Sequence, residues 1–223
     1  MPVEFSAAAY RFGHSLVRDA YQLNGSSGQL PMFSPANEPD LRGHRPIPES
    51  LRVEWRRFFP GLDGAPPAPD APAGGDMQPA MRLDPRLAPS MTRPPAGVDD
   101  QRRSIALLNL FRGQALGLPS GEDVAAAVAQ RTGDQIDILG QDRTGLAHPA
   151  PLWFYVLREA ELLGAGERLG PVGGRIVAEV LVGLAAKDRS SLLAHAGPFE
   201  PVLGQTPGEF TIADLLRIAG AAT

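Results

Sequence analysis

The sequence predicts a mainly α-helical protein in which long irregular connections join the helices. Apolar residues recur at steps of three and four in several segments, which is the spacing of one face of an α-helix. No segment shows a strong alternation of apolar and polar residues, which is the pattern of a half-buried strand. Between the helical segments lie stretches rich in the chain's 25 glycines and 23 prolines, which favour turns and extended chain.

Length and composition restrict the class of protein. The 223 residues, 43% of them hydrophobic, suit one domain or part of one, with a core of its own. The absence of cysteine excludes disulfides, thiolate ligands and thiol nucleophiles. The net charge of -4 forms no basic stripe, so neither nucleic acid nor an anionic membrane is expected as a partner. No apolar run approaches the roughly twenty residues of a membrane span. We expect a soluble protein, cytoplasmic or secreted as part of a longer chain.

The first helical pattern covers residues 5–24. His14 and Arg11 lie one turn apart on one face of this predicted helix, so both side chains point the same way. Gly13 stands beside the histidine, although glycine within a helix costs about 1 kcal/mol relative to alanine. A flat ligand that approaches the backbone would explain this glycine. A neutral imidazole can donate a lone pair to a metal while the guanidinium meets an acid group.

A simpler alternative is that His14 is a hydrogen-bonded histidine of the core and that Gly13 is a packing contact between helices. One histidine without companions does not make a metal site by spacing alone. The remaining histidines, His44, His148 and His195, lie in predicted loops or just before a helix, and their neighbours do not indicate a metal ligand.

A stretch rich in proline, glycine and alanine occupies about residues 60–97. Before it, residues 48–59 have the apolar spacing of a short amphipathic helix. The stretch itself contains few residues that would be buried. We interpret it as an insertion within one domain or partial domain, 1–223, and not as a linker between two domains.

Residues 99–113 form the second informative helical pattern, which acidic residues open. Asn109 and Arg112 lie three positions apart, so they share one face of this otherwise apolar helix. Burying either side chain without a partner would cost several kcal/mol, and each therefore needs one. A capping or loop contact is an alternative explanation for both residues.

Later segments have clear helix signals. Ser120 is a predicted N-cap of a helix that ends by Gly133. Residues 151–163 and 175–187 are apolar around most of their circumference, which predicts two core helices. In the tail, residues 210–219 form a predicted helix capped by Thr211.

The segment Ala-Ala-Tyr-Arg-Phe-Gly-His-Ser, residues 8–15, resembles the proximal-histidine helix of the animal-type haem peroxidases. This family includes myeloperoxidase, lactoperoxidase, the cyclooxygenases and bacterial relatives, and Arg-Phe-Gly-His, residues 11–14, is its most specific short motif. Three further segments match the family: Trp-x-x-Phe-Phe at 55–59, Leu-Asn-x-x-Arg at 108–112 and Gly-Leu-Pro at 117–119. Myeloperoxidase-like members place Arg-Asp-His before the Gly-Leu-Pro, whereas this chain has Gly-Gln-Ala-Leu, as expected of the bacterial branch.

This resemblance implies the irregular multi-helix fold of the animal-type peroxidases, in its proximal-side portion. The cofactor would be haem b, iron protoporphyrin IX, with His14 as the axial ligand of the iron. Asn109 would accept the proton of His14 Nδ1, which fixes the tautomer and raises the basicity of the ring. Arg11 and Arg112 would hold the haem propionates through charge-assisted hydrogen bonds.

The activity implied is the reduction of hydrogen peroxide with oxidation of an unknown donor, as in a response to oxidative stress. Such a peroxidase needs a distal histidine and arginine for acid–base catalysis, and the family carries them N-terminal to the proximal helix. We therefore expect this chain to be the proximal, C-terminal part of a peroxidase, with an N-terminal distal-side segment as its partner. Two alternatives are a non-enzymatic haem-binding module and a degenerate helical remnant in which His14 is a core residue.

Overall fold

The computed structural model describes residues 1–34, 40–41, 43, 46–62, 77–92, 104–194 and 199–221. These residues are mainly helical, which confirms the predicted class. The α-helices are α1 (Val3–Ala7), α2 (Pro89–Thr92), α3 (Ile105–Ala115), α4 (Gly121–Thr132), α5 (Gln141–Thr144), α6 (Leu152–Leu163), α7 (Pro171–Lys187) and α8 (Ile212–Ile218). Short 3₁₀ helices cover Ala9–His14, Glu49–Leu51, Trp55–Arg57 and Leu192–Ala194, and strands β1 (Ala20–Tyr21) and β2 (Leu30–Pro31) pair antiparallel.

The chain divides into two compact units. One contains Met1–Asp19 and Met81–His195, and the other contains Ala20–Ala80 and Ala196–Thr223. Of the predicted insertion at about 60–97, the structure describes residues 60–62 and 77–92. The interpretation of the chain as one domain or partial domain stays a prediction.

Helix α6 is the centre of the first unit, as its apolar sequence predicts. Its buried residues include Leu152, Trp153, Tyr155, Val156, Leu157 and Ala160. Neighbouring helices approach α6 closely at glycines. A Cβ at Gly121 of α4 would lie 2.0 Å from Tyr155 Cγ, and one at Gly173 of α7 would lie 2.6 Å from Val156 Cγ1. These two positions have space for no side chain while α6 keeps its place.

The prediction of one α-helix over residues 5–24 is wrong. Helix α1 ends at Ala7, and Ala8, at φ -132° and ψ -76°, separates it from the 3₁₀ helix Ala9–His14. The buried Ser15 then binds a distant segment, because its Oγ accepts from the backbone N of Asp84 at 3.0 Å and donates to Arg82 O at 2.7 Å. This contact directs the chain away from a helical path, although the local apolar spacing favours a helix.

The predicted amphipathic helix over residues 48–59 is also wrong, since two short 3₁₀ turns occupy that range. Asn24 Nδ2 donates to the carbonyl oxygens of Ser50 and Arg52, at 2.9 and 2.8 Å. The backbone N of Glu54 donates to Leu23 O at 2.8 Å. These backbone groups bond to another loop, so they do not form the ladder of an α-helix.

Local signals predicted the later helices well. Ser120 caps α4, which ends at Gly133 in the left-handed conformation, with φ 76°. Thr211 and Asp214 form the capping box of α8. Residues 99 and 100, predicted to open α3, lie outside the described residues, and Ser104 is the observed N-cap.

Helix α7 begins at Pro171, four residues before the predicted start, because the buried carboxylate of Glu159 accepts hydrogen bonds from the backbone N atoms of Val172 and Gly173. Its second half is not the predicted core element, since Leu181, Val182 and Leu184 are exposed. Within the described ranges, the helices lack the length and apolar composition that crossing a membrane would require.

Candidate functional site

The four site residues predicted from sequence line one cleft of about 580 Å³ in the first unit. Arg11 and His14 come from the 3₁₀ helix Ala9–His14, and Asn109 and Arg112 come from α3. The rest of the lining is apolar and consists of Ile105, Leu108, Phe111, Ala115 and Leu116. Two segments about a hundred positions apart in the sequence therefore contribute to a single surface.

Helix α3 carries its polar and apolar residues in an unusual arrangement. Asn109 is 1% exposed, whereas Leu108, Phe111 and Leu116, the last just beyond the helix end, are 39%, 53% and 48% exposed. An ordinary surface helix buries its apolar side and exposes its amides. Here the amide faces inward toward the 3₁₀ helix, and large apolar side chains border the open cleft.

A chain of hydrogen bonds connects the two segments. Arg11 Nη1 donates to Asn109 Oδ1 at 3.1 Å. The other amide atom, Asn109 Nδ2, lies 3.0 Å from His14 Nδ1. Arg11 Nε also donates to Ser6 O at 3.0 Å, which holds the guanidinium against α1. The buried asparagine thus has a partner for both ends of its side chain, as burial of a polar group requires.

The amide orientation differs from the one implied by the peroxidase resemblance. That resemblance has Asn109 accept a proton from His14 Nδ1, which requires the oxygen to face the ring. In the structure the oxygen faces Arg11, and the amide nitrogen faces the ring. A guanidinium has donors and no acceptor, so only the oxygen can bond to it.

The cleft is electropositive. Burial, and after it the charge of Arg11, lower the pKa of His14 from its ordinary value of 6.5, which favours the neutral imidazole. Burial, and after it repulsion from Arg112, lower the pKa of Arg11. The described residues that line the cleft include two arginines and no aspartate or glutamate. This charge favours an anionic ligand.

The structure also tests the simpler explanations of His14 and Gly13. His14 is half-buried at the cleft wall, and it is hydrogen-bonded, but it is not enclosed in the core. Among the described residues, no atom lies within 4 Å of a Cβ built at Gly13, so the explanation of this glycine as a packing contact between helices is wrong. Trp153 Nε1 donates to Arg11 O at 3.5 Å and connects this segment to α6.

Two features of the site were not predicted from the sequence. One is the direct bond between Arg11 and Asn109, which are 98 positions apart. The other is the exposure of the apolar side chains of α3, because a leucine-rich helix with this composition ordinarily indicates a core element. Of the other histidines, His148 is exposed and does not line the cleft, while His44 and His195 lie outside the described residues.

In the described part of the chain, His, Cys, Asp and Glu do not gather in groups of three or more that would hold a metal ion. No family model matches this sequence, and no curated protein or solved structure matches it either.

Proposed function

We propose that this cleft binds haem b as the proximal site of a haem peroxidase. The observation that carries the proposal is the hydrogen-bonded series Arg11, Asn109 and His14 at the wall of one cleft. Apart from Arg112, the other residues that line this cleft are apolar. The resemblance of residues 8–15 and 108–112 to the animal-type peroxidases supports it as well, since these segments meet at the cleft.

The donor set of the cleft fits the chemistry of haem. His14 is a neutral imidazole, which is the form that ligates a metal. Arg11 and Arg112 are guanidinium groups, which pair well with carboxylates such as the two propionates of haem b. Apolar side chains of α3 provide a surface for the macrocycle. The volume, about 580 Å³, lies within the range of about 300 to 1,000 Å³ that small-molecule and cofactor sites have.

Each residue has a distinct task in this proposal. His14 holds the iron, and Asn109 orients the imidazole and determines which ring nitrogen carries the proton. Arg11 and Arg112 bind the acid groups of the ligand. When bound, haem supplies the redox chemistry that reduces hydrogen peroxide at the expense of an unknown donor. We assign no distal acid or base among the described residues, and in this proposal those groups belong to the distal-side segment that the resemblance implies.

The test is a haemin titration of the purified chain, followed by the Soret band, with two histidine variants. We expect saturable one-to-one binding in the wild type, loss of that binding in His14→Ala, and no change in His148→Ala. The second variant is the matched control, because His148 is exposed and does not line the cleft. Binding that is indifferent to His14 would reject the ligand assignment.

Guaiacol oxidation separates the remaining alternatives. A haem-loaded chain that oxidises guaiacol with hydrogen peroxide faster than free haemin supports the peroxidase assignment. A chain that binds haemin through His14 without such acceleration is the outcome expected of the non-enzymatic haem-binding module, and also of a proximal peroxidase part tested without its distal-side segment. A chain that takes up no haemin supports the degenerate helical remnant.

A further inference from the structure

We infer that Arg11 holds the side chain of Asn109 in place through one hydrogen bond, which we call the latch. When Arg11 binds a ligand carboxylate instead, Asn109 can rotate, and His14 can then present a lone pair to a metal. The latch is the hydrogen bond from Arg11 Nη1 to Asn109 Oδ1. The inference rests on the proposed function. It adds to it a positioning role for Arg11, which acts through Asn109 on the ligation of iron by His14.

The hydrogen bonds determine the tautomer of His14. The Asn109 amide turns its oxygen toward Arg11, and its NH₂ group therefore faces the ring, 3.0 Å from Nδ1. An amide NH₂ donates, so Nδ1 must accept. A neutral imidazole that accepts at Nδ1 carries its proton on Nε2. With the latch closed, therefore, Nε2 has no lone pair to give to a metal.

Ligation of iron through Nε2 requires the opposite arrangement. The proton must be on Nδ1, and Nδ1 must then donate to an acceptor on Asn109, which only the amide oxygen provides. Rotating the amide by half a turn supplies that oxygen. The same rotation turns the NH₂ group toward Arg11 Nη1, which is also a donor. Two donors facing each other repel, so the amide cannot rotate while Arg11 keeps its place.

A carboxylate at the mouth of the cleft gives Arg11 a different partner. It is a better acceptor than a neutral amide oxygen, because the hydrogen bond is charge-assisted on both sides. Arg112 lines the same cleft, and its repulsion of Arg11 is relieved when an anion binds near both. Arg11 Nε stays bonded to Ser6 O, so only the terminal amino groups must change partner. Ligand acid groups thus open the latch.

The test uses a porphyrin without acid groups. If Arg11 acts as the latch, its loss should strengthen the binding of this porphyrin. If Arg11 only pairs with the acid groups of a ligand, its loss should leave that binding unchanged. We would titrate haemin and its dimethyl ester into the wild type, Arg11→Met and Arg112→Met. Haemin loses affinity in both variants, because each removes a carboxylate partner. The ester gains about tenfold in Arg11→Met, since the latch, a hydrogen bond of a charged group, no longer holds the amide. The ester gains nothing in Arg112→Met.

Arg112→Met is the matched control because it removes the same charge from the same cleft. In the described part of the chain, Arg112 makes no side-chain hydrogen bond to Asn109 or His14. A gain for the ester in both variants would be an effect of charge on the ferric iron, and it would overturn the latch. An unchanged ester affinity in Arg11→Met would overturn it too.

A second measurement needs no arginine variant and no ligand. In the wild-type apoprotein at pH 7.5, ¹⁵N correlation spectra of the histidine rings report which nitrogen carries the proton, and His14→Ala identifies the signals of His14. The latch predicts the proton on Nε2, and a proton on Nδ1 would overturn it. If haemin binds regardless of His14, the proposed function fails, whatever the tautomer. If His14-dependent binding occurs with the wrong tautomer, only the latch fails.

Discussion

Replacing Gly13 by alanine separates stability from ligand binding at this cleft. A Cβ at position 13 would meet no atom of the described residues within 4 Å, and the glycine lies in the 3₁₀ helix Ala9–His14. Alanine there loses less backbone entropy on folding than glycine, by about 0.5 to 1 kcal/mol. For a chain of this size, 1 kcal/mol corresponds to about 2 to 4 °C in Tm. We therefore expect Gly13→Ala to raise the Tm of the apoprotein by a few degrees.

The same variant should weaken haemin binding. If a flat ligand approaches the backbone beside His14, a methyl group at position 13 lies in its path. The matched control is Gly183→Ala in α7, where a Cβ also meets no atom of the described residues within 4 Å, and which, unlike Gly13, is not next to a residue that lines the cleft. Both variants should stabilise the apoprotein in a thermal melt, while only Gly13→Ala lowers haemin affinity. Equal affinities in the two variants would refute the reasoning that the glycine serves a ligand.

Two further predictions concern the core around α6. Gly121→Ala should lower the free energy of unfolding by about 1 to 3 kcal/mol, measured by urea denaturation, because its Cβ would lie 2.0 Å from Cγ of the fully buried Tyr155; a neutral outcome would contradict this packing. Glu159→Gln tests pH dependence: burial raises the pKa of Glu159 above its ordinary 4.5, so the folded state binds more protons than the unfolded one. The stability of the wild type relative to Glu159→Gln should therefore fall as pH rises from about 4.5 through the raised pKa, and a constant difference from pH 4 to pH 8 would contradict the assignment.

The helices that were predicted well are those that local chemistry determines. A capping serine before α4, a glycine in the left-handed conformation after it and the capping box of α8 act within one turn of the helix ends. The predicted helix over residues 5–24 had a strong apolar period and a stop signal at Gly25, but no capping residue before its first turn. The path of this segment is determined by hydrogen bonds between Ser15 and the backbone of residues 82 and 84. No local pattern can predict a contact between residues so far apart in the sequence.

Local spacing likewise predicted only part of the candidate site. The spacing of Arg11 and His14, and of Asn109 and Arg112, correctly predicted that each pair lines one surface, because three positions make one turn in either kind of helix. Only the family resemblance predicted that the two pairs would lie close together. The orientation of the Asn109 amide could not be predicted, because it depends on whether Arg11 comes within hydrogen-bond distance of it.

Without a ligand, the Asn109 and His14 side chains of the cleft have hydrogen-bond partners, but the electrostatic environment of Arg11 is unfavourable. This combination determines which kind of ligand the cleft favours. Asn109 is satisfied at both ends without a ligand, so the fold does not need one to bury the amide. Arg11, in contrast, is partly desolvated and repelled by Arg112. An anion between the guanidinium groups compensates both effects, whereas a neutral planar molecule compensates neither. The cleft therefore favours a ligand with acid groups before any metal is considered, and under the latch that we propose only such a ligand would free the Nε2 lone pair of His14.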